Sequence, residues 1–170
     1  MRKTVPVCGF IIGLILLLGV SVPSSATSPS TVQQLPYRVS AASARADLEH
    51  QVLAMVNRDR AGVGLRPLLV SEPLRMAARV HGSDLFTNGY FSHTARSGST
   101  PMDRMLASGA RARIFGENLA FAADVATAHR LLMASPGHRA NILSKAYHRV
   151  GIGVLDGGAK GVIVVENFTD

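Results

Sequence analysis

Residues 150–168 read VGIGVLDGGAKGVIVVENF, and this stretch decides the fold class of the chain. Apolar residues alternate with glycine from 150 to 154, which is the two-residue period of a β-strand. Asp156-Gly157-Gly158 is typical of a turn, and 162–168 is rich in the β-branched residues that strands favour. The stretch therefore predicts a β-hairpin at the end of the chain.

The segments before the hairpin follow helical spacing, bounded by capping residues and by glycine. The predicted helices cover 44–60, 71–86, 100–108, 124–133 and 135–143. One segment of extended character, 113–120, lies among them. Helices, one strand and a final hairpin predict an α+β domain built in layers.

The first 26 residues have the composition of a secretory signal peptide. Arg2 and Lys3 precede an apolar run over 7–20, and Ser24-Ser25-Ala26 supplies the small residues that signal peptidase needs. The run is shorter than the roughly 20 apolar residues that span a bilayer, so cleavage is favoured over anchoring. We therefore predict a signal peptide over 1–26, no stable membrane insertion after its removal, and a protein that is secreted or held in the cell envelope.

The rest of the chain is predicted to contain a spacer and one domain. Residues 27–43 are rich in Ser, Thr, Pro and Gln and show no periodicity, as expected of a flexible linker. The domain then covers 44–170, a length that supports its own hydrophobic core.

Composition excludes several classes of function. Cys8 is the only cysteine and lies in the predicted leader, so the exported chain has no disulfide, no thiolate metal site and no cysteine nucleophile. The formal net charge falls from +7 to +5 without the leader, because Arg2 and Lys3 leave and no acid does. The basic residues are scattered and tryptophan is absent, which disfavours a nucleic-acid partner.

Glu117 is the most informative acid. It lies between Gly116 and Asn118 and is followed by Leu119-Ala120-Phe121, so the strand that carries it is apolar enough to be buried. A lone buried carboxylate is costly, so it requires backbone donors or a cation as partner. A structural carboxylate and a functional acid are equally compatible with this pattern.

Two histidines are candidates for the same site. His93 follows Tyr90-Phe91-Ser92 in a loop, where functional residues tend to lie. His138 falls near the third position of a predicted helix, where the helix N-terminus lowers the pKa of an imidazole, and Asn141 shares its face. His81 is expected in the core on the buried face of the second helix, whereas His50 and His129 are expected in solvent. Two histidines and one carboxylate would suffice as ligands for zinc or another divalent ion.

Four motifs together resemble a known family. They are Gly89-Tyr90-Phe91-Ser92-His93, Gly116-Glu117-Asn118-Leu119-Ala120, Ser135-Pro136-Gly137-His138-Arg139-Ala140-Asn141-Ile142-Leu143 and Val150-Gly151-Ile152-Gly153-Val154. In this order they look like the bacterial branch of the CAP superfamily (cysteine-rich secretory proteins, antigen 5 and pathogenesis-related 1 proteins), also called the SCP domain. The resemblance covers nearly all of 46–169.

The resemblance implies a three-layer α-β-α sandwich, exported from the cell, with a cleft lined by two histidines and two glutamates that in some relatives hold a divalent metal. Carried over, His93 and His138 would be the histidines and Glu117 the first glutamate. The second glutamate is missing, and its place falls near Ser135. The expected cleft residues are His93, Glu117, His138, Ser135 and Asn141, with His93, His138 and Glu117 as the metal ligands.

Three hypotheses follow for the function. The first is a secreted binding protein without enzymatic activity, whose partner is a small ligand, an envelope component or a protein. The second is a metal-assisted hydrolase in which His93 and His138 bind the ion and Glu117 binds it or acts as general base. The third makes Glu117 a structural bridge between the two histidines.

Overall fold

The C-terminal hairpin forms the centre of the sheet. In the computed structural model, which describes residues 32–170, β6 (Arg149–Asp156) pairs antiparallel with β7 (Val162–Thr169) along all eight residues of each strand. The hairpin predicted from the alternating sequence is therefore confirmed. The predicted signal peptide over 1–26 lies outside the described residues.

The other elements surround this hairpin. The helices of residues 32–170 are α1 (Ala46–Gly62), α2 (Glu72–Asn88), α3 (Pro101–Ala107), α4 (Val125–Ala134) and α5 (Pro136–Ile142). The remaining strands are β1 (Gln33–Gln34), β2 (Ser43–Ala44), β3 (Leu69–Val70), β4 (Tyr90–Phe91) and β5 (Phe115–Ala122). The main sheet runs in the order β2-β6-β7-β5, with β3 parallel to β6, while β1 and β4 form a separate pair. None of the helices in this range is long and apolar enough to cross a membrane.

Helices cover both faces of the main sheet. One face packs against α1, α4 and α5 through Val56, Leu132 and Ile142. The other packs against α2 through Ala78 and Leu85, because successive side chains of a strand point to opposite faces. The three-layer α-β-α sandwich is confirmed.

Glycines in β6 set how closely α2 approaches the sheet. A Cβ atom on Gly151 would lie 2.1 Å from the backbone nitrogen of Arg75, and one on Gly153 would lie 2.6 Å from that of Arg79. The alternating glycines of the sequence therefore allow direct contact between the strand and the helix backbone.

Most of the helix caps predicted from the sequence are confirmed. Thr100 and Asp103 form a reciprocal capping box at the start of α3, and the side chain of Asp124 accepts a hydrogen bond from the Thr127 amide at the start of α4. Gly89 ends α2 in the left-handed conformation with φ of 66°. Ser71 precedes α2 without a side-chain cap.

The prediction of a flexible spacer over 27–43 is wrong for residues 33–39. The Leu35 amide donates to the Gly89 carbonyl, and the Val39 amide donates to the Phe86 carbonyl, each at 3.0 Å. Leu35, Tyr37 and Val39 pack on the α2 side of the core, so the alternation of apolar residues within this polar segment fixes it to the domain. We name residues 33–39 the N-terminal strap.

Candidate functional site

Glu117 lies at the centre of the candidate site, on β5. Its side chain is 2% exposed. Oε2 accepts a hydrogen bond from Nη2 of Arg104 at 2.8 Å, and Oε1 accepts one from Nδ1 of His93 at 2.9 Å. The buried carboxylate thus has the cationic partner that its sequence context requires, and that partner is Arg104, which the sequence analysis did not identify.

Arg104 ties the His93 loop to the sheet. Arg104 lies on α3. Its Nη1 donates to the Ser99 carbonyl, and its Nη2 also donates to the His93 carbonyl, both at 2.9 Å. The neighbouring Met105 is fully buried and anchors α3 against α2. Sequence spacing gives no signal for the ion pair, because it joins a helix to a strand through tertiary packing.

The bond to Glu117 also fixes the tautomer of His93. A carboxylate oxygen accepts, so Nδ1 of His93 carries the proton, and Nε2 is an acceptor when the ring is neutral. The side chain is 44% exposed. His93 and Glu117 line a shallow cavity of about 470 Å³ together with Thr100, Pro101, Met102, Arg113, Ile114, Phe115 and Gly116.

His138 lies in a different cavity. It is the third residue of α5, as the sequence predicts, and it is half-buried. Burial lowers the pKa of His138, and the charge of His93 lowers it further. The predicted direction is confirmed, with burial as the largest cause. His138 is therefore neutral at pH 7.

The cavity that contains His138 has a volume of about 350 Å³ and a mostly apolar lining, and we call it the groove. Its lining residues are Gln33, Leu35, Phe91, Leu119, Ala120, Phe121, Leu131, Leu132, Ser135 and His138. The N-terminal strap and β4 form one side, and α4 and α5 form the other. Ser135 thus lies in the groove with His138, whereas His93 and Glu117 line the neighbouring cavity.

Asn141 lies beside Glu117, and its Nδ2 donates to the Glu117 carbonyl at 3.4 Å. Its Nδ2 also donates to Oδ1 of Asn118 at 2.9 Å, and Asn118 donates in turn to the His138 carbonyl at 3.1 Å and to Oε2 of Glu166 at 2.9 Å. Asn141 is not among the groove-lining residues. Its contacts hold α5 against β5 and thereby position His138.

Glu166 is an acid that the sequence analysis missed. It lies opposite Asn118 in the sheet and is fully buried, and its Oε1 has no hydrogen-bond partner among the described residues. Burial raises the pKa of Glu166 to about 7, and the hydrogen bond from Asn118 opposes that rise. Its signal in the sequence is a single acid within the apolar strand at 162–168. Glu166 faces α1, α4 and α5, on the opposite face of the sheet from Glu117.

The described residues do not fit a three-ligand metal site. Within residues 32–170, no three His, Asp or Glu side chains are grouped so that they could hold an ion. Both oxygens of Glu117 are engaged, one of them by the guanidinium of Arg104, which repels a cation. His138 has no side-chain bond to Glu117 in this part of the chain, so Glu117 bridges His93 to Arg104 rather than to the second histidine.

Of the other histidines, His81 and His50 lie where the sequence predicts, with His50 exposed, whereas His129 does not. His81 is fully buried, as predicted, and its Nε2 donates to the Ser92 carbonyl at 2.9 Å. His129 was expected in solvent but is 4% exposed, with Nε2 at 2.8 Å from Oδ2 of Asp59. The prediction failed because α4 packs its His129 face against α1.

Comparisons with known proteins agree with this architecture. The family model described as "CAP: Cysteine-rich secretory protein family" matches residues 53–168. The uncharacterized protein YkwD of Bacillus subtilis (strain 168) is 29% identical over 137 residues, which are 80% of this chain and 53% of that protein. The chain thus spans about half the length of this relative.

Two solved structures share this fold. One is an extracellular protein containing an SCP domain from Bacillus anthracis str. Ames, with a TM-score of 0.66 and 28% identity, over 71% of this chain and 39% of that one. The other is an outer surface protein of Borrelia burgdorferi, with a TM-score of 0.68 over 75% of this chain and 97% of that one. The second is 20% identical and supports the fold alone.

Proposed function

The chain belongs to the CAP family, and from that premise we propose that it is an extracellular binding protein whose groove holds a small, mostly apolar ligand, such as a component of the cell envelope. Export is supported by the leader-like composition of residues 1–26. It is also supported by the similarity to an extracellular protein that contains an SCP domain.

The size and lining of the groove support a small ligand. Its volume of about 350 Å³ is within the range of small-molecule pockets, which are lined mainly by apolar side chains with a few polar groups that orient the ligand. Leu131 is 54% exposed at the groove, and Phe91 and Phe121 are partly buried there. The neutral His138 and Ser135 offer hydrogen bonds to one polar group of the ligand.

The observation that carries the proposal is the engagement of Glu117. Its two carboxylate oxygens are held by Arg104 and His93, so neither is free to act as a general base or to bind a metal. The groove, in contrast, offers accessible apolar surface beside a neutral imidazole. Binding therefore fits the geometry better than hydrolysis does.

Binding in the groove is tested with prodan, an uncharged fluorophore whose emission reports an apolar environment. We expect saturable binding to the wild-type protein, and we expect Leu131→Glu to weaken it roughly tenfold, because a carboxylate would then stand in the apolar wall. The measurement is a fluorescence titration, with melting curves to establish that the variant is folded.

Val80→Glu is the matched control. Val80 is 59% exposed on α2 and does not line the groove, so the substitution introduces the same charge at similar exposure elsewhere. We expect Val80→Glu to bind prodan as the wild type does. Equal weakening in both variants, or no saturable binding at all, would overturn the proposal.

One observation favours the metal-assisted hydrolase as a second candidate. His93 has an acceptor Nε2 when neutral, and His138 is neutral at pH 7, so two imidazoles are available as ligands or bases. That function would require Glu117 to leave Arg104. The effect of zinc on the melting temperatures of the wild type and Glu117→Gln separates the two candidates.

A further inference from the structure

A second cavity, of about 340 Å³, has a strongly basic lining. It lies between the loop that follows α1 and the loop that precedes β6, and we call it the basic pocket. Its polar lining residues are Arg60, Arg66, Lys145, Tyr147 and His148. These include two arginines, a lysine and a histidine, and the lining contains no aspartate or glutamate among the described residues.

Arg60 is the fixed cation of this pocket. It is 2% exposed. Its guanidinium donates to four carbonyls, those of Arg66 at 2.9 Å, Ile142 at 2.7 Å, Ser144 at 2.9 Å and Tyr147 at 3.4 Å. Within residues 32–170 Arg60 has no carboxylate partner. Its positive charge is therefore stabilised by the dipoles of these carbonyls and is not neutralised by an acid. Four bonds from five N–H donors also leave one donor unused.

The exposed cations of the pocket have no acidic partner among the described residues either. Arg66 and Lys145 are exposed, and across the described range neither forms an ion pair. His148 is exposed beside them. The side chains of Arg66 and Lys145 make no hydrogen bond to the protein in this range, so both can turn toward a ligand without breaking a native contact.

We propose that the basic pocket binds a phosphate group, either as free phosphate or as part of a phosphate-bearing polymer. Guanidinium groups donate in a fork that matches phosphate oxygens, and a concave site lined by one sign of charge concentrates the opposite ion. The uncompensated charge of Arg60 and the absence of acids among the described lining residues make an anion the ligand that this geometry suits. The site is separate from the groove and does not depend on the proposed function.

The test is a titration of the purified protein with sodium phosphate at pH 7.5. Sodium chloride keeps the ionic strength constant, and NMR follows the amide signals of Gly64, Leu65 and Lys145, which line the pocket. We expect saturable shifts at these residues. A parallel titration with polyphosphate distinguishes the sources, because a polymer ligand should bind at least about tenfold more tightly per chain than a single phosphate.

The variant Arg66→Ala/Lys145→Ala removes the two free cations and leaves Arg60 in place. We expect its affinity for both probes to fall at least about tenfold. The control Arg111→Ala/Arg130→Ala removes two exposed cations outside the pocket and should bind as the wild type does. Equal losses of affinity in both variants would show only general attraction of anions to a basic protein and would overturn the proposal. The absence of saturable shifts with either probe would also overturn it.

Discussion

We expect Glu117→Gln to lower the free energy of unfolding by about 3–5 kcal/mol, because it removes one partner of a buried ion pair and leaves the other charged. Arg104 is 10% exposed at its side chain and has no second carboxylate within 4.0 Å in the described residues. Glutamine keeps the volume of the side chain, so the effect reports charge rather than packing. The Nδ1 proton of His93 loses its charged acceptor in the same substitution.

Urea unfolding at pH 7 measures this effect. Glu72→Gln is the matched control, since Glu72 pairs with Arg75 on the surface, and its loss should cost under about 1 kcal/mol. The double variant Glu117→Gln/Arg104→Met should be more stable than Glu117→Gln, because no unpaired charge remains buried. If Glu117→Gln and Glu72→Gln had equal effects, Glu117 would not hold the fold together.

The second large effect concerns Glu166. Its pKa is raised from 4.5 to about 7 by burial, so the folded protein keeps a proton that the unfolded chain releases. Stability from this group is therefore fully present below pH 4.5 and is lost as the pH rises to about 7. We expect Glu166→Gln, which is neutral at every pH, to be more stable than wild type by about 2–3 kcal/mol at pH 8 and nearly equal to it at pH 4.5.

Urea unfolding of wild type and Glu166→Gln at pH 4.5, 6 and 8 checks this prediction. The difference in unfolding free energy between the two proteins should grow with pH and level off above about pH 7. The exposed Glu72→Gln should show no such trend. A difference between Glu166→Gln and wild type that stays constant over this range would contradict a buried protonated carboxyl.

The sequence predicted the parts of the fold that depend on local patterns. Alternation predicted the β6–β7 hairpin, and the capping residues Thr100 and Asp124 marked the starts of α3 and α4. These features depend on residues within a few positions of one another, where hydrogen bonding and periodicity act directly. The short strand β3 and the N-terminal strap were missed, because each is held by a distant partner rather than by its own pattern.

The site was predicted less completely than the fold. His93 and Glu117 do meet, and His138 lies at the predicted helical position. Arg104 was missed because nothing in the sequence marks which arginine will reach a buried acid. His129 was misplaced because its burial depends on how α4 packs against α1. The packing of separate helices and strands decides which side chains meet. The periodicity of a single sequence does not indicate how those elements pack.

Glu117 is engaged in the fold, and from its contacts we expect that it does not bind a metal. The most direct measurement compares melting temperatures of wild type and Glu117→Gln, each with chelator and then with zinc. We predict that zinc raises neither melting temperature, because binding to the native state must stabilise it and the described residues offer no three-ligand site. A zinc-dependent rise in the wild type that disappears in Glu117→Gln would contradict this structural role and establish Glu117 as a metal ligand.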